Sequence, residues 1–242
     1  TSGATVLSGL EHLPQSVNVW RHALQWYGGM AVIVMSVAIL PMLGVGGLQL
    51  IRADTPGPMK EGKLGARILQ TFRHLGVLYV VVTAACMVAL RWAGMDWFDA
   101  LCHAFSTLSL GGFTTREAGI AAFDSLRVEL VLMAFMMFGA LNFGTHFVAL
   151  RQRSVQGYLR DTEVMSIWLV VIASAAMLAF YLVRVDVYPD YVEALRRAGF
   201  ATVSMATTAG FVGEGHGTWP IFPATWLLLL CTIASSAGST GG

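Results

Sequence analysis

The sequence predicts an all-α membrane protein made of repeated units, each containing a spanning helix, a short re-entrant helix, a glycine-containing loop and a second spanning helix. Three observations support this fold class. The chain of 242 residues is 56% hydrophobic and only 12% charged, whereas soluble domains carry about 25% charged residues. It contains five long runs without Asp, Glu, Lys or Arg, and a short glycine-centred motif occurs three times.

The five charge-free runs predict the membrane spans, because a helix needs about 20 apolar residues to cross the hydrocarbon core. We expect the first four runs to form complete helices. In the fifth, a helix is expected from Trp219 to Ala234, and residues 235–242 form helices poorly, so the span should break there. The runs cover residues 22–51, 74–90, 130–150, 164–183 and 215–242.

Basic residues predict the orientation of the spans. The connections 52–73 and 151–163 carry eight Lys or Arg residues, and cytoplasmic connections are enriched in these residues. Most acidic residues fall in the connections on the other side. An acidic outer face concentrates cations.

Two outer connections contain apolar segments that are too short to span the membrane. Residues 99–105 and 193–200 are helix-like and carry an acidic residue at their start, where it complements the helix dipole. Each precedes a glycine-centred motif. Non-helical backbone at membrane depth is tolerated only where protein or a water-filled cavity surrounds it, so we expect re-entrant pore helices followed by loops that line a wet path.

The glycine-centred motif occurs in residues 106–115, in residues 203–211 and, cut off at its start, in residues 1–5. Placing Gly210 on Gly112 also aligns Ser204 with Ser106, and Gly3 takes the same place in the first copy. Between each pore helix and its glycine the motifs contain no charged residue. Rings of backbone carbonyls can replace the hydration shell of a cation, so the motifs predict a cation filter; the alternative is that these glycines serve close helix packing.

The motifs divide the chain into repeats rather than soluble domains. The sequence thus begins inside one repeat and ends inside another, which predicts a longer protein whose fourth repeat is absent here. The divisions are the end of repeat 1 (1–51), a cytoplasmic linker (52–66), repeat 2 (67–151), a second linker (152–160) and repeat 3 (161–242).

Five segments carry a family resemblance: residues 40–47, 105–114, 142–146, 203–211 and 237–242. With them the chain resembles, over essentially its whole length, the Trk-type potassium uptake membrane subunits of the Trk/Ktr/HKT superfamily. Such proteins resemble four fused potassium-channel repeats in the bacterial cytoplasmic (inner) membrane. The first span and pore helix of repeat 1 and all of repeat 4 are missing from the pattern.

The resemblance implies site residues in both the filter and a gate. The implied potassium-binding filter residues are Thr1, Ser2, Gly3, Leu110, Gly111, Gly112, Thr208, Ala209 and Gly210. The implied gate is an intramembrane glycine-rich loop below the filter, formed by Gly238, Ser239, Thr240, Gly241 and Gly242. A packing kink remains an alternative for this loop, whereas a phosphate loop would need the Gly-Lys-Ser/Thr ending that is absent.

The resemblance also implies partners: membrane lipid, a second copy in a homodimer, and a cytoplasmic RCK-type (TrkA-like) nucleotide-binding ring docked on the two basic linkers. Potassium is the expected transported ion, and we expect no bound cofactor and no transition-metal site. A net charge of +1 gives no basic footprint for nucleic acid. We expect no enzyme, because no nucleophile with a base lies at membrane depth. The alternative function is a secondary transporter with a substrate site between broken helices.

His146 lies late in the run 130–150. We interpret it as a hydrogen-bonded histidine between helices, while noting that ionisable groups inside spans often mark functional sites.

Overall fold

The computed structural model describes residues 3–35, 61–152, 158, 161–213, 219–233 and 239–241. All regular elements in these ranges are helical, which confirms the predicted fold class. Two 3₁₀ turns also occur, at Leu10–His12 and Gly119–Phe123. The helices are α1 (Gln15–Val34), α2 (Glu61–Ala93), α3 (Trp97–Leu108), α4 (Leu126–Ala140), α5 (Phe143–Gln152), α6 (Thr162–Arg184), α7 (Tyr191–Ala206) and α8 (Ile221–Ile233).

Side chains cap the start of several helices. The Asp96 carboxylate accepts a hydrogen bond from the Asp99 amide at 2.6 Å, and the Asp161 carboxylate accepts one from the Glu163 amide at 3.0 Å. Such caps satisfy amide groups that have no partner within the helix. The two pore helices predicted from short apolar segments are present as α3 and α7.

The prediction that residues 130–150 form one complete helix is wrong. Helix α4 ends at Ala140 and α5 begins at Phe143. Leu141 is extended, with ψ of 157°, and the Asn142 side chain accepts a hydrogen bond from the Gly144 amide at 2.7 Å. An asparagine that bonds the backbone locally offers an alternative to the helical ladder, and the apolar character of the run hides this interruption.

Two helices in the described ranges are long and apolar enough to cross a membrane. These spans are Arg73–Ala93, with mean hydropathy 1.9, and Thr162–Arg184, with mean hydropathy 2.3. Each keeps large apolar side chains exposed, such as Val81 in α2 and Leu169 in α6. Extended exposed apolar surface is typical of a protein that contacts lipid.

The pore helices are the most enclosed elements. Helix α3 packs against α1, α2 and α4, and α7 packs against α4, α6 and α8. Gly29 allows α1 to approach the end of α3 closely, because a Cβ atom there would lie 2.9 Å from the Cα and Cβ atoms of Ser109. Close backbone approach through a small residue is typical of membrane helix pairs. The end of α3 is thereby held inside the helix bundle.

Candidate ion filter

The two complete glycine loops share one backbone conformation. Leu110 and Gly112 have φ of 52° and 70°, and the aligned Thr208 and Gly210 have φ of 60° and 72°. The residue between each pair is not left-handed. Alternation between the two hands places successive N–H groups on one side of the chain, and therefore the carbonyl oxygens on the other.

Leu110 and Thr208 are strained, because side chains with a Cβ atom rarely adopt positive φ. Such a residue costs on the order of 1–3 kcal/mol and persists only where its surroundings hold it. Leu110 is buried, and its amide bonds the Thr107 carbonyl at 3.3 Å, as the Thr208 amide bonds the Met205 carbonyl at 3.0 Å. The same strain at aligned positions indicates that the alternating backbone has a function.

Hydroxyl groups support the foot of both loops in the same way. The Ser109 hydroxyl donates to the Phe105 carbonyl at 2.8 Å, and the aligned Thr207 hydroxyl donates to the Val203 carbonyl at 2.8 Å. Each carbonyl also accepts the backbone amide of the same residue, from Ser109 at 3.2 Å and from Thr207 at 2.9 Å, so each hydroxyl adds a second hydrogen bond that fastens the loop to the last turn of its pore helix.

The loops pack side by side in a fixed order. A Cβ atom added to Gly3 would overlap the Gly111 carbonyl oxygen, and one added to Gly112 would overlap the Ala209 carbonyl oxygen. In each case, the central glycine of one copy of the motif faces a residue of the next copy, namely the residue that comes just before the central glycine of that copy. Gly210 has no heavy atom of the described residues within 4 Å of its added Cβ position, so its equivalent face is open.

The described residues of the predicted gate lie against the two glycine loops. Thr240 is buried, and its hydroxyl lies 2.8 Å from the Leu108 carbonyl oxygen and 3.2 Å from that of Gly139. Its amide also bonds the Gly139 carbonyl at 3.3 Å, which is available because α4 ends at Ala140. Gly241 lies close to both loops, with its added Cβ position 3.0 Å from the Thr208 hydroxyl and 3.5 Å from Leu110 Cδ1.

The structure therefore brings most of the predicted site residues together. Gly3 lies beside the loop Leu110–Gly112, called the second loop below. Thr240 contacts the foot of this loop, and Gly241 contacts both this loop and the third loop, Thr208–Gly210. Ser239 lies beside Gly241. Four predicted residues lie outside the described ranges: Thr1, Ser2, Gly238 and Gly242.

Gln25 of α1 contacts the second loop and was missed by the sequence analysis. Its side-chain nitrogen donates to the Gly111 carbonyl at 2.7 Å, and its side-chain oxygen accepts from the Ser106 hydroxyl at 2.8 Å. Gln25 is 5% exposed. The available signal was an amide side chain inside a charge-free run, since polar groups within spans often mark functional sites.

Charged groups flank the two pore helices. In α3, Asp99 accepts hydrogen bonds from the Thr115 hydroxyl at 2.6 Å and from Arg116 at 3.3 Å. In α7, Arg196 forms a two-pronged pair with Glu129 of α4, at 2.8 and 2.9 Å. The first pair holds the segment after the second loop, whereas the second pair joins α7 to α4.

His146 is hydrogen-bonded, as predicted. Its Nε2 atom lies 2.9 Å from the Phe138 carbonyl oxygen and its Nδ1 atom 2.7 Å from the Tyr158 hydroxyl. Burial raises the pKa of the Tyr158 phenol, so Tyr158 keeps its proton at neutral pH and donates it to Nδ1 while Nε2–H donates to the carbonyl. The ring also stacks on Phe138 at 3.8 Å, which ties α5 to α4 across the helix break.

Apolar helices around two short, enclosed helices, each followed by a strained, uncharged glycine loop, are typical of membrane proteins of the pore-loop class. The family model TrkH, described as a cation transport protein, matches residues 1–242. The chain belongs to this family, whose members are proteins of the bacterial cytoplasmic membrane.

Named relatives support the assignment. The chain is 44% identical to the Trk system potassium uptake protein TrkH of Escherichia coli K12 over 100% of this chain and 50% of the relative. It is 35% identical to TrkG of the same organism, again over 100% and 50%. The crystal structure of the potassium transporter TrkH from Vibrio parahaemolyticus aligns with a TM-score of 0.88 at 38% identity, covering 100% of this chain and 48% of that one. The chain spans about half the length of these relatives.

Proposed function

We propose that the full-length protein carrying this chain takes up potassium across the cytoplasmic membrane through a filter of backbone carbonyl oxygens. The main observation behind this proposal is the alternating backbone that Leu110–Gly112 and Thr208–Gly210 share. Carbonyl dipoles without full charges bind potassium reversibly. The relatives named as potassium uptake proteins support this choice of ion.

The proposed ion contacts are the carbonyl oxygens of the two described loops and of the first copy of the motif. The side-by-side packing of Gly3 on the second loop and of Gly112 on the third supports a ring built from successive copies. On this proposal the open face of Gly210 receives the fourth repeat of the full-length protein. The proposed contacts are Thr1, Ser2, Gly3, Leu110, Gly111, Gly112, Thr208, Ala209 and Gly210.

The proposed repeat divisions follow the order of the helices. Helix α2, pore helix α3, its loop and α4 with α5 form repeat 2, and α6, pore helix α7, its loop and α8 form repeat 3. Residues 238–242 act as the proposed gate, supported by the hydrogen bonds of Thr240 to the foot of the second loop. We also propose a homodimer docked on a cytoplasmic RCK-type ring, for which the family resemblance is the support.

Growth of an uptake-deficient bacterium on low potassium tests this function. The intact gene should restore growth, and Gly112→Ser should abolish it or admit sodium, because the new side chain meets the Ala209 carbonyl and the backbone has positive φ. In the full-length protein, Gly210→Ser should likewise abolish growth on low potassium or admit sodium. Gly94→Ser is the matched control, because Gly94 also has positive φ but lies away from the loops, with open space around it.

Membrane abundance must be matched before growth is compared. Restored uptake with unchanged ion preference in both Gly112→Ser and Gly210→Ser would rule out the filter assignment. An intact gene that fails to restore potassium uptake would rule out the proposed transport function itself.

A further inference from the structure

The Gln25 amide is the support that distinguishes the second filter loop from the third. Its orientation is fixed by its partners, because the Gly111 carbonyl oxygen can only accept a hydrogen bond and must therefore face the NH₂ group. The Ser106 hydroxyl then donates to the amide oxygen at 2.8 Å. Both polar ends of this buried side chain are satisfied, and one of them is satisfied by a proposed ion ligand.

Gly111 is a glycine because Gln25 lies against it. Its own φ is not in the left-handed region, so backbone conformation does not require glycine there. A Cβ atom at Gly111 would overlap the Gln25 amide group, however. The aligned residue in the third loop is Ala209, which has a Cβ atom, so an amide could not occupy the same place.

Among the residues that the structure describes, the third loop has no equivalent amide donor. Helix α4, which follows the second loop as α1 follows the first, contains no Asn or Gln between Leu126 and Ala140. Ser204, aligned with Ser106, donates instead to the Phe211 carbonyl at 2.9 Å. The two loops thus keep the same backbone with different hydrogen-bond support.

A donor on a filter carbonyl has two physical effects. It engages one of the two lone pairs of the oxygen, and it fixes the direction in which that oxygen points. Ion selectivity in carbonyl filters depends on the number, field strength and flexibility of the ligands. A carbonyl held from outside the loop is less able to close around a smaller ion such as sodium.

We propose that Gln25 is a specificity-determining positioning residue, which holds the Gly111 carbonyl through its amide and thereby favours potassium over sodium. This inference rests on the proposed function, because it assigns a role to an oxygen of the proposed filter. Gln25 acts through Gly111 and does not itself contact the ion.

The test measures uptake of potassium, rubidium and sodium by the full-length protein and its variants at matched membrane abundance. Gln25→Met and Gln25→Leu each remove both hydrogen bonds of the amide and keep an apolar side chain of similar volume. Both should lower the potassium-to-sodium uptake ratio about fivefold, as expected for loss of one buried hydrogen bond. Ser106→Ala, which leaves the donor in place, should lower the ratio less.

Thr83→Val is the matched control. Thr83 is buried, and its hydroxyl accepts a hydrogen bond from Trp26 Nε1 at 3.0 Å, which joins α1 to α2 rather than to a filter loop. It should keep the wild-type ion ratio. A defect of folding or gating would change the uptake of all three ions together, whereas the positioning role changes their ratio.

An unchanged ratio in Gln25→Met and Gln25→Leu would overturn the inference and leave Gln25 a packing residue, while potassium uptake by the wild type would still support the proposed function. If Gln25→Met does not accumulate in the membrane, Gln25→Leu and Ser106→Ala provide the test. If the wild type takes up no potassium, both proposals fall.

Discussion

The second and third glycine loops have nearly the same backbone but different surroundings. Leu110 and Thr208 share positive φ, although one is an apolar residue and the other carries a hydroxyl. Behind them, Gln25 supports the second loop and Ser204 the third. The comparison indicates that the backbone carries the common function, because it stays the same while the side chains that hold it differ.

The pore helices also correspond in position but differ in the side chains that hold them. Asp99 in α3 and Arg197 in α7 occupy aligned positions with opposite charge. Asp99 holds the segment that follows its own loop, whereas Arg197 lies 3.8 Å from Glu129 of the preceding repeat. Charge at this position therefore serves the contacts that each pore helix makes with neighbouring segments, and these contacts differ between α3 and α7.

The largest expected effect comes from a change that breaks the shared backbone. Gly112→Ala should reduce potassium uptake at least about tenfold, because backbone strain alone costs about 1–3 kcal/mol and the new methyl group overlaps the Ala209 carbonyl. Isotope uptake into cells with equal membrane abundance measures the effect. Potassium uptake equal to that of the control Gly94→Ala would mean that transport does not depend on the backbone of the loop.

The next prediction concerns variants in which the second loop receives the alanine of the third loop and loses the Gln25 amide. Gly111→Ala introduces the methyl group of Ala209 and should impair uptake, because it overlaps the Gln25 amide. Adding Gln25→Ala should restore uptake but not the potassium-to-sodium ratio. A double-mutant cycle measures this coupling, and simple additivity of the two changes would mean that Gln25 and Gly111 are independent.

Variants of the ion pairs should have a smaller effect on uptake, and they should mainly lower the free energy of unfolding. Arg196→Met removes a two-pronged partner of the buried Glu129 and should cost about 3 kcal/mol, as for broken buried pairs. Arg116→Met removes a partner that is 43% exposed, so its cost should stay below about 1 kcal/mol. Thermal unfolding in detergent should rank the two variants; the reverse order would refute the assigned difference between the repeats.

The smallest predicted effect concerns the contact between the second loop and residues 239–241. Thr240→Val removes the hydroxyl that lies 2.8 Å from the Leu108 carbonyl oxygen and should change the maximal uptake rate by about fivefold, as for one buried hydrogen bond. The ion ratio should not change. Thr225→Val, an exposed hydroxyl in α8 that bonds only its own helix, serves as the control, and a changed ion ratio in Thr240→Val would place this residue in the filter instead.

Hydropathy and glycine spacing sufficed to predict the pore helices and the loops around Gly112 and Gly210, because both signals are local in the sequence. The break at Asn142 escaped prediction, since an apolar run conceals a side chain that bonds the backbone two residues later. The role of Gln25 could not be predicted because Gly111 lies 86 positions away. Such contacts depend on how the helices pack, which a single sequence does not reveal.

The most direct test of the central claim locates the ion in the full-length protein. A crystal structure with rubidium in place of potassium, using the anomalous signal of rubidium, should place a peak within coordination distance of carbonyl oxygens from both Leu110–Gly112 and Thr208–Gly210. A rubidium site elsewhere along the path, with none between these loops, would contradict the account.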